Sequence, residues 1–226
     1  MSTEVPRIFV NMKAYLEAFG DRALSLARAA EKVSSETGVL VGVIPNFLSA
    51  PIVAREVDIP VLVQHVDPVE PGAHTGSISP RLLRHYGISG ALLNHSERRV
   101  RLDHIASCVR MLSEEGLISV VCCTDPFEAG AVASLNPSAV AVEPPDLIGT
   151  GISVSKARPE VVTEAVRAVR RHSGSALPIC GAGITTGEDV RRAIELGSYG
   201  VLVASAIVKA SDPEKKIREM ASSVPD

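Results

Sequence analysis

Three residues of different ionisable type each stand at the end of a short apolar run, and together they could move a proton beside an anion. Glu143 follows Ala139-Val140-Ala141-Val142, His95 follows Gly90-Ala91-Leu92-Leu93-Asn94, and Lys13 lies just past Ile8-Phe9-Val10-Asn11. A carboxylate can act as a general base, an imidazole as a donor working near neutral pH, and an ammonium as a fixed countercharge for an oxyanion. Asn11 and Lys13 are two positions apart, so an extended chain would point both to one side. Beyond Glu143, Pro144-Pro145 stiffens the chain, Leu147-Ile148 is an apolar pair, and Gly149-Thr150-Gly151 allows backbone to approach a ligand closely. Stiff hinge, apolar tip and glycine backbone suit a lid; an ordinary loop with a solvated glutamate fits the same residues. Plainer readings exist for the others too: Lys13 as a surface amine, His95 as a loop residue, Glu97 with Arg98 as a structural ion pair.

A different chemistry is suggested further on. Cys180-Gly181-Ala182-Gly183-Ile184-Thr185-Thr186-Gly187 follows an apolar run and opens a helix, and its small residues expose N–H groups where anions bind. Val203-Ala204-Ser205 makes a second small-residue turn.

Something must hold these positions together, and the pattern of the chain says what. Apolar runs without alternation predict strands at Ile8–Asn11, Val39–Ile44, Val61–His65, Gly90–Leu93, Ile118–Cys123, Ala139–Val142, Pro178–Cys180 and Gly200–Val203. Between them, sets such as Leu102, Ile105, Val109, Leu112 and Val162, Ala165, Val166, Val169 each fall on one helical face. Ser79-Pro80, Asp125-Pro126 and Asp212-Pro213 mark helix starts, and Thr186 with Asp189 resembles a capping box. Strands apolar on both faces that alternate with helices mean parallel pairing with right-handed crossovers. Eight such units of roughly 28 residues close most economically into a (β/α)8 barrel, a single domain over 1–226. An open doubly wound sheet is the alternative, and neither a G-x-G-x-x-G turn after the first strand nor a P-loop supports it. In a barrel the strand C-termini form the functional face, and the loops after strands seven and eight commonly hold phosphate. That places Gly181, Ala204 and Ser205 as candidate ligand contacts. Gln64 and His65 end the third strand near the same mouth.

The sequence resembles the triosephosphate isomerase family over nearly its whole length. Asn11-x-Lys13, His95-Ser96-Glu97-Arg98-Arg99, and Glu143-Pro144 with Ile148-Gly149-Thr150-Gly151 match the family's motifs in order. The resemblance implies an enzyme interconverting glyceraldehyde 3-phosphate and dihydroxyacetone phosphate through an enediol(ate), in glycolysis and gluconeogenesis. It implies Glu143 as base, His95 as electrophile, Lys13 as cation, Asn11 orienting Lys13, and Glu97 paired with Lys13. It also implies backbone contacts from Ile148 and Gly149 to the substrate and no cofactor. The short chain resembles the compact archaeal branch, which implies a homo-oligomer, a dimer at minimum, with tetramers occurring in that branch. The loop Gly72-Ala73-His74-Thr75-Gly76-Ser77 resembles the family's intersubunit loop, with Ser77 where an acidic residue often pairs with an arginine such as Arg98. Cys180-Gly181-Ala182-Gly183 replaces a family motif that starts with Tyr and carries Gly-Gly-Ser, so a side-chain hydroxyl is lost. Another phosphosugar isomerase or epimerase, or a non-catalytic barrel binding a phospholigand, would keep the glycine turns. Neither would be expected to show the histidine motif together with Glu143-Pro144.

Composition narrows the partners. With 23 basic and 26 acidic residues well mixed, no stripe favours nucleic acid or anionic membrane, and a small molecule is the default. No apolar run reaches a membrane span and the first residues lack a signal pattern, so the cytoplasm is expected. Cys108, Cys122, Cys123 and Cys180 show no C-x-x-C spacing and read as buried reduced thiols. His85, His104 and His172 fall in or beside helical stretches, and no His/Asp/Glu set has metal-ligand spacing.

Overall fold

The computed structural model describes residues 4–144 and 154–225. Eight parallel strands run in the order β2-β1-β8-β7-β6-β5-β4-β3. They are β1 (Ile8–Asn11), β2 (Val41–Ile44), β3 (Leu62–Val63), β4 (Gly90–Leu93), β5 (Ile118–Cys123), β6 (Ala139–Val142), β7 (Leu177–Cys180) and β8 (Gly200–Val203). A bridge between Val43 and Val61 joins the two ends of that order, and the Val43 N–H donates to the Pro60 carbonyl at 2.9 Å. The chain is a (β/α)8 barrel.

Alternation along each strand divides the core. Phe9, Ile44, Leu62, Leu92, Val120, Ala141, Ile179 and Leu202 fill the barrel interior. Their neighbours in sequence, such as Val10, Val43, Leu93, Val121 and Val140, face the helices. Small strand residues let the backbones close up: a Cβ on Gly90 would stand 2.0 Å from the Ile118 carbonyl oxygen. The helices are α1 (Asp21–Thr37), α2 (Ala50–Glu56), α3 (Leu102–Glu114), α4 (Pro126–Ala133), α5 (Val154–Ala157), α6 (Pro159–His172), α7 (Gly187–Glu195), α8 (Ser205–Val208) and α9 (Pro213–Ala221). Asp125 and Asp212 cap α4 and α9 through their carboxylates, and Thr186 with Asp189 closes the capping box of α7.

Several expectations shift. The third strand was expected over Val61–His65 but spans Leu62–Val63, because Gln64 turns its amide onto the Lys13 and Ile44 carbonyls at 2.9 and 3.3 Å while His65 turns toward Asp67. The second strand begins at Val41 rather than Val39, and the seventh one residue earlier, at Leu177. Ser79-Pro80 does start a helix, with the Ser79 side chain as its cap, and that helix, Pro80–Tyr86, is of the 3-10 type. Leu102 is 55% exposed although it shares the spacing of Ile105, Val109 and Leu112, since it is the first residue of α3 and projects beyond the packed surface.

Candidate active site

Parity along the strands delivers two of the predicted residues to the barrel mouth. Asn11 lies two positions beyond the interior residue Phe9, and Glu143 two beyond the interior residue Ala141, so both continue an inward-facing row. Glu143 is held by its own N–H, which donates to the Cys123 carbonyl at 2.8 Å, and it is 4% exposed.

Lys13 and His95 arrive by another route. The expectation for Lys13 rested on extended backbone, yet its φ is 46°, a left-handed conformation uncommon outside glycine. Asn11 stabilises that turn by accepting the Lys13 N–H at 3.0 Å, and Gln64 caps the Lys13 carbonyl. The ammonium then donates to Glu97 at 2.8 Å, which replaces the reading of Glu97 and Arg98 as an ion pair. Asn94, with φ 59°, makes the corresponding turn before His95. Its side-chain amide donates to the Cys122 carbonyl at 2.9 Å and to Glu128, and its oxygen accepts the Val100 N–H at 3.1 Å. Glu128 also pairs with Arg99 and takes the Thr124 N–H, so the 95–99 loop is tied to β5 and α4 from both ends.

The result is a compact acid–base arrangement. The Glu97 N–H donates to His95 Nδ1 at 3.2 Å, so Nδ1 presents its lone pair and the ring proton sits on Nε2, facing the mouth. His95 Nε2 lies 3.6 Å from Glu143 Oε2, too far for a hydrogen bond. Among the described residues that oxygen is buried with no hydrogen-bond partner. Burial pushes the Glu143 carboxyl above its ordinary value, against the opposing pull of His95, the Cys122 thiol and Lys13. A carboxylate so placed is poorly solvated and more basic than one in water.

Gly181 has a different part from the one its sequence suggests. Its N–H is taken by the Val142 carbonyl at 3.0 Å. A Cβ there would stand 2.5 Å from Glu143 Cγ, so the absent side chain makes room for the glutamate. Gly181, Ala204 and Ser205 do line the same pocket as Asn11, Lys13, His95 and Glu143. The first amides of α8 have no carbonyl within the helix to pair with, which leaves donors at Ser205 for an anion. Ile148 and Gly149, with the rest of the expected lid tip, lie outside the described residues. Gly183, Ile184 and Thr185, from the turn that the sequence marks as anion-binding, also line the pocket, as does Tyr15, which the sequence reading missed. Gly183, at φ 68°, carried a signal as the second glycine of its turn, whereas Tyr15 carried none.

Away from the mouth, His65, Asp67 and His104 bring possible ligand atoms within 4.8 Å of one another, a grouping that sequence spacing did not reveal. Protein groups already use these atoms: Asp67 meets His65 and the Ile78 N–H, and His104 Nε2 meets the Val66 carbonyl at 2.9 Å. This is a clamp on the 67–78 loop, whose tip from Pro71 to Ser77 is exposed. All four cysteines are buried free thiols; burial pushes Cys108 and Cys180 up to about 12 and raises Cys122 and Cys123 as well. No helix among the described residues is long and apolar enough to cross a membrane.

Fold and mouth together define a class of protein: a parallel (β/α)8 barrel whose strand ends hold a carboxylate, an imidazole and a cation around one pocket. Within that class the chain belongs to the triosephosphate isomerase family. The family model described as triosephosphate isomerase matches residues 6–221. Triosephosphate isomerase of Archaeoglobus fulgidus is 51% identical over 94% of this chain and 96% of its own. That of Methanopyrus kandleri is 50% identical, covering 96% and 97%, and that of Methanobacterium bryantii 45% identical, covering 98% of each.

Proposed function

We propose that the chain interconverts glyceraldehyde 3-phosphate and dihydroxyacetone phosphate, with Glu143 as the base that shuttles the proton. The reaction moves one hydrogen between adjacent carbons and leaves the overall oxidation state unchanged, so it requires no external redox partner. Glu143 removes the proton next to the carbonyl, forming an enediol(ate). His95 Nε2–H donates to the oxygen on which charge grows, and the Lys13 ammonium stabilises it. The hydroxyl proton moves between the two adjacent oxygens of the enediol(ate) beside His95 Nε2, and Glu143 returns the abstracted proton to the neighbouring carbon. Asn11 orients Lys13, and the phosphate is gripped at Gly183 and at the Ala204-Ser205 turn, with Gly181 walling the glutamate. By resemblance, Ile148 and Gly149 add contacts from the loop after β6.

One observation carries this reading: a buried Glu143 oxygen without a partner, 3.6 Å from a His95 Nε2 that carries a proton. A polar atom left like that is costly unless a substrate is meant to meet it. The test is a coupled assay with glyceraldehyde 3-phosphate. Turnover that is lost in Glu143→Gln supports the reading; an inactive parent that still binds phosphate would favour a phospholigand-binding barrel.

The protein is further proposed to be one domain over its length and a homo-oligomer of at least two copies, with the exposed tip of the 67–78 loop reaching the partner. Sedimentation that found a fully active monomer would overturn this. Four buried thiols suit a reducing compartment, in keeping with a cytoplasmic enzyme.

A further inference from the structure

Asp189 is 2% exposed, and among the described residues its carboxylate is the most heavily hydrogen-bonded one beside the pocket. Its Oδ2 accepts the N–H and hydroxyl of Thr186, both at 2.9 Å, and the N–H and hydroxyl of Thr185, both at 3.0 Å. Its Oδ1 takes the Lys156 ammonium at 2.8 Å. A capping box explains the Thr186 contacts alone: one carboxylate oxygen on the cap N–H, with the Thr186 hydroxyl accepting the Asp189 N–H in return. It explains neither the two bonds to Thr185 nor the ion pair.

Those extra contacts join two walls of the mouth. Thr185 lines the pocket with Gly183 and Ile184. Lys156 belongs to α5, which follows the loop after β6, and two more bonds tie the same pieces together. The Val154 N–H donates to the Ala182 carbonyl at 3.2 Å, and the Ser155 hydroxyl donates to the Asp189 carbonyl at 3.3 Å. Lys156, Thr185 and Thr186 thereby meet at one carboxylate, while the Val154–Ala182 and Ser155–Asp189 bonds to backbone carbonyls hold the same two segments together. Burial alone would push the Asp189 carboxyl up, but Lys156 and the two threonines outweigh it and hold it at about 2, so the group stays charged across any working pH.

We propose that Asp189 is a positioning residue for phosphate binding: it fixes the Gly183-Ile184-Thr185 backbone and the start of α5 in the one arrangement that grips the phosphate. This rests on the phosphorylated substrate proposed above. Asp189 itself touches no substrate; it acts through Thr185 and Lys156.

The test is a graded series read by calorimetric binding of inorganic phosphate and by the KM and kcat for glyceraldehyde 3-phosphate. Asp189→Asn keeps one acceptor oxygen for the threonines and loses the charge that holds Lys156. Lys156→Met removes the same ion pair from a half-exposed position, so the barrel should fold even if an Asp189 variant does not. Asp189→Ala removes every side-chain contact and keeps those of the Asp189 backbone. We expect the phosphate Kd and the KM to rise together, severalfold in Asp189→Asn and Lys156→Met and tenfold or more in Asp189→Ala, with kcat changing less than KM. A helix-capping role alone would lower the melting temperature and leave Kd and KM within twofold well below it. Folded Lys156→Met and Asp189→Asn proteins with unchanged Kd would overturn the proposal, as would a parent that does not bind phosphate. A parent that binds phosphate with the predicted ordering but does not turn over the triose would instead sink the isomerase reading and leave the Asp189 role standing.

Discussion

Gly181→Ala should disable the enzyme without unseating its phosphate. The added Cβ would lie 2.5 Å from Glu143 Cγ and 3.1 Å from the carboxyl carbon and one oxygen. Non-bonded carbons rest about 3.5–4.0 Å apart, so the glutamate must retreat by about 1 Å. Glu143 has little room to do so, being 4% exposed with its backbone fixed on β5. A base misplaced by about 1 Å can lose roughly a hundredfold in rate, or about 2.7 kcal/mol of barrier. Overpacking should add a loss of about 1–3 kcal/mol in stability. Phosphate affinity should stay within about threefold, because the Gly181 N–H already serves the Val142 carbonyl and the proposed phosphate donors lie elsewhere. Steady-state kinetics separates these effects: kcat falls about a hundredfold while the inhibition constant of inorganic phosphate holds. A kcat within threefold of the parent would refute the steric argument, and a collapse of phosphate affinity would mean that Gly181 serves the anion directly.

Three further predictions come from charges in or beside the mouth. The acid limb of kcat/KM should lie above the ordinary glutamate value of 4.5, since burial raises the Glu143 carboxyl and only its ionised form accepts a proton; a limb at or below 4.5 would contradict this. The same shift makes the folded state hold the proton more tightly than the unfolded one, so melting temperature relative to Glu143→Gln should fall as pH rises through and above 4.5. Asp189 behaves oppositely: its depressed carboxyl contributes stability that is present above 3.8 and lost as pH falls toward about 2. Asp189→Asn should therefore cost about 2 kcal/mol at neutral pH by urea titration, and the difference should vanish in strong acid.

Much of the architecture was legible because buried parallel strands leave continuous apolar runs, as in Ile118–Cys123 and Ala139–Val142. β3 was the exception: the bonds that end it are made by the Gln64 and His65 side chains to partners distant in sequence or inside a loop, which no local pattern encodes. At the site, Glu143 and Asn11 followed from strand parity, but the left-handed turns at Lys13 and Asn94 did not, because each depends on side chains that cap it in three dimensions. Gly181 reads as an anion turn in sequence; only the position of Glu143 across the ladder reveals that it is a steric vacancy. Asp189 was visible as a helix cap, and its bond to Lys156, thirty-three positions earlier, was not.

The most direct test of the account is to incubate glyceraldehyde 3-phosphate with the parent and with Glu143→Gln in deuterium oxide, following product and label by NMR. Glutamine keeps the shape of the side chain while removing the base. The account predicts conversion by the parent, with solvent deuterium entering the former aldehyde carbon wherever the proton held by Glu143 exchanges before it is returned. For Glu143→Gln it predicts loss of both conversion and labelling by at least about a thousandfold, with phosphate still bound. Conversion by Glu143→Gln at more than a tenth of the parent rate, or labelling of its product as fast as that of the parent, would contradict a proton-shuttling Glu143.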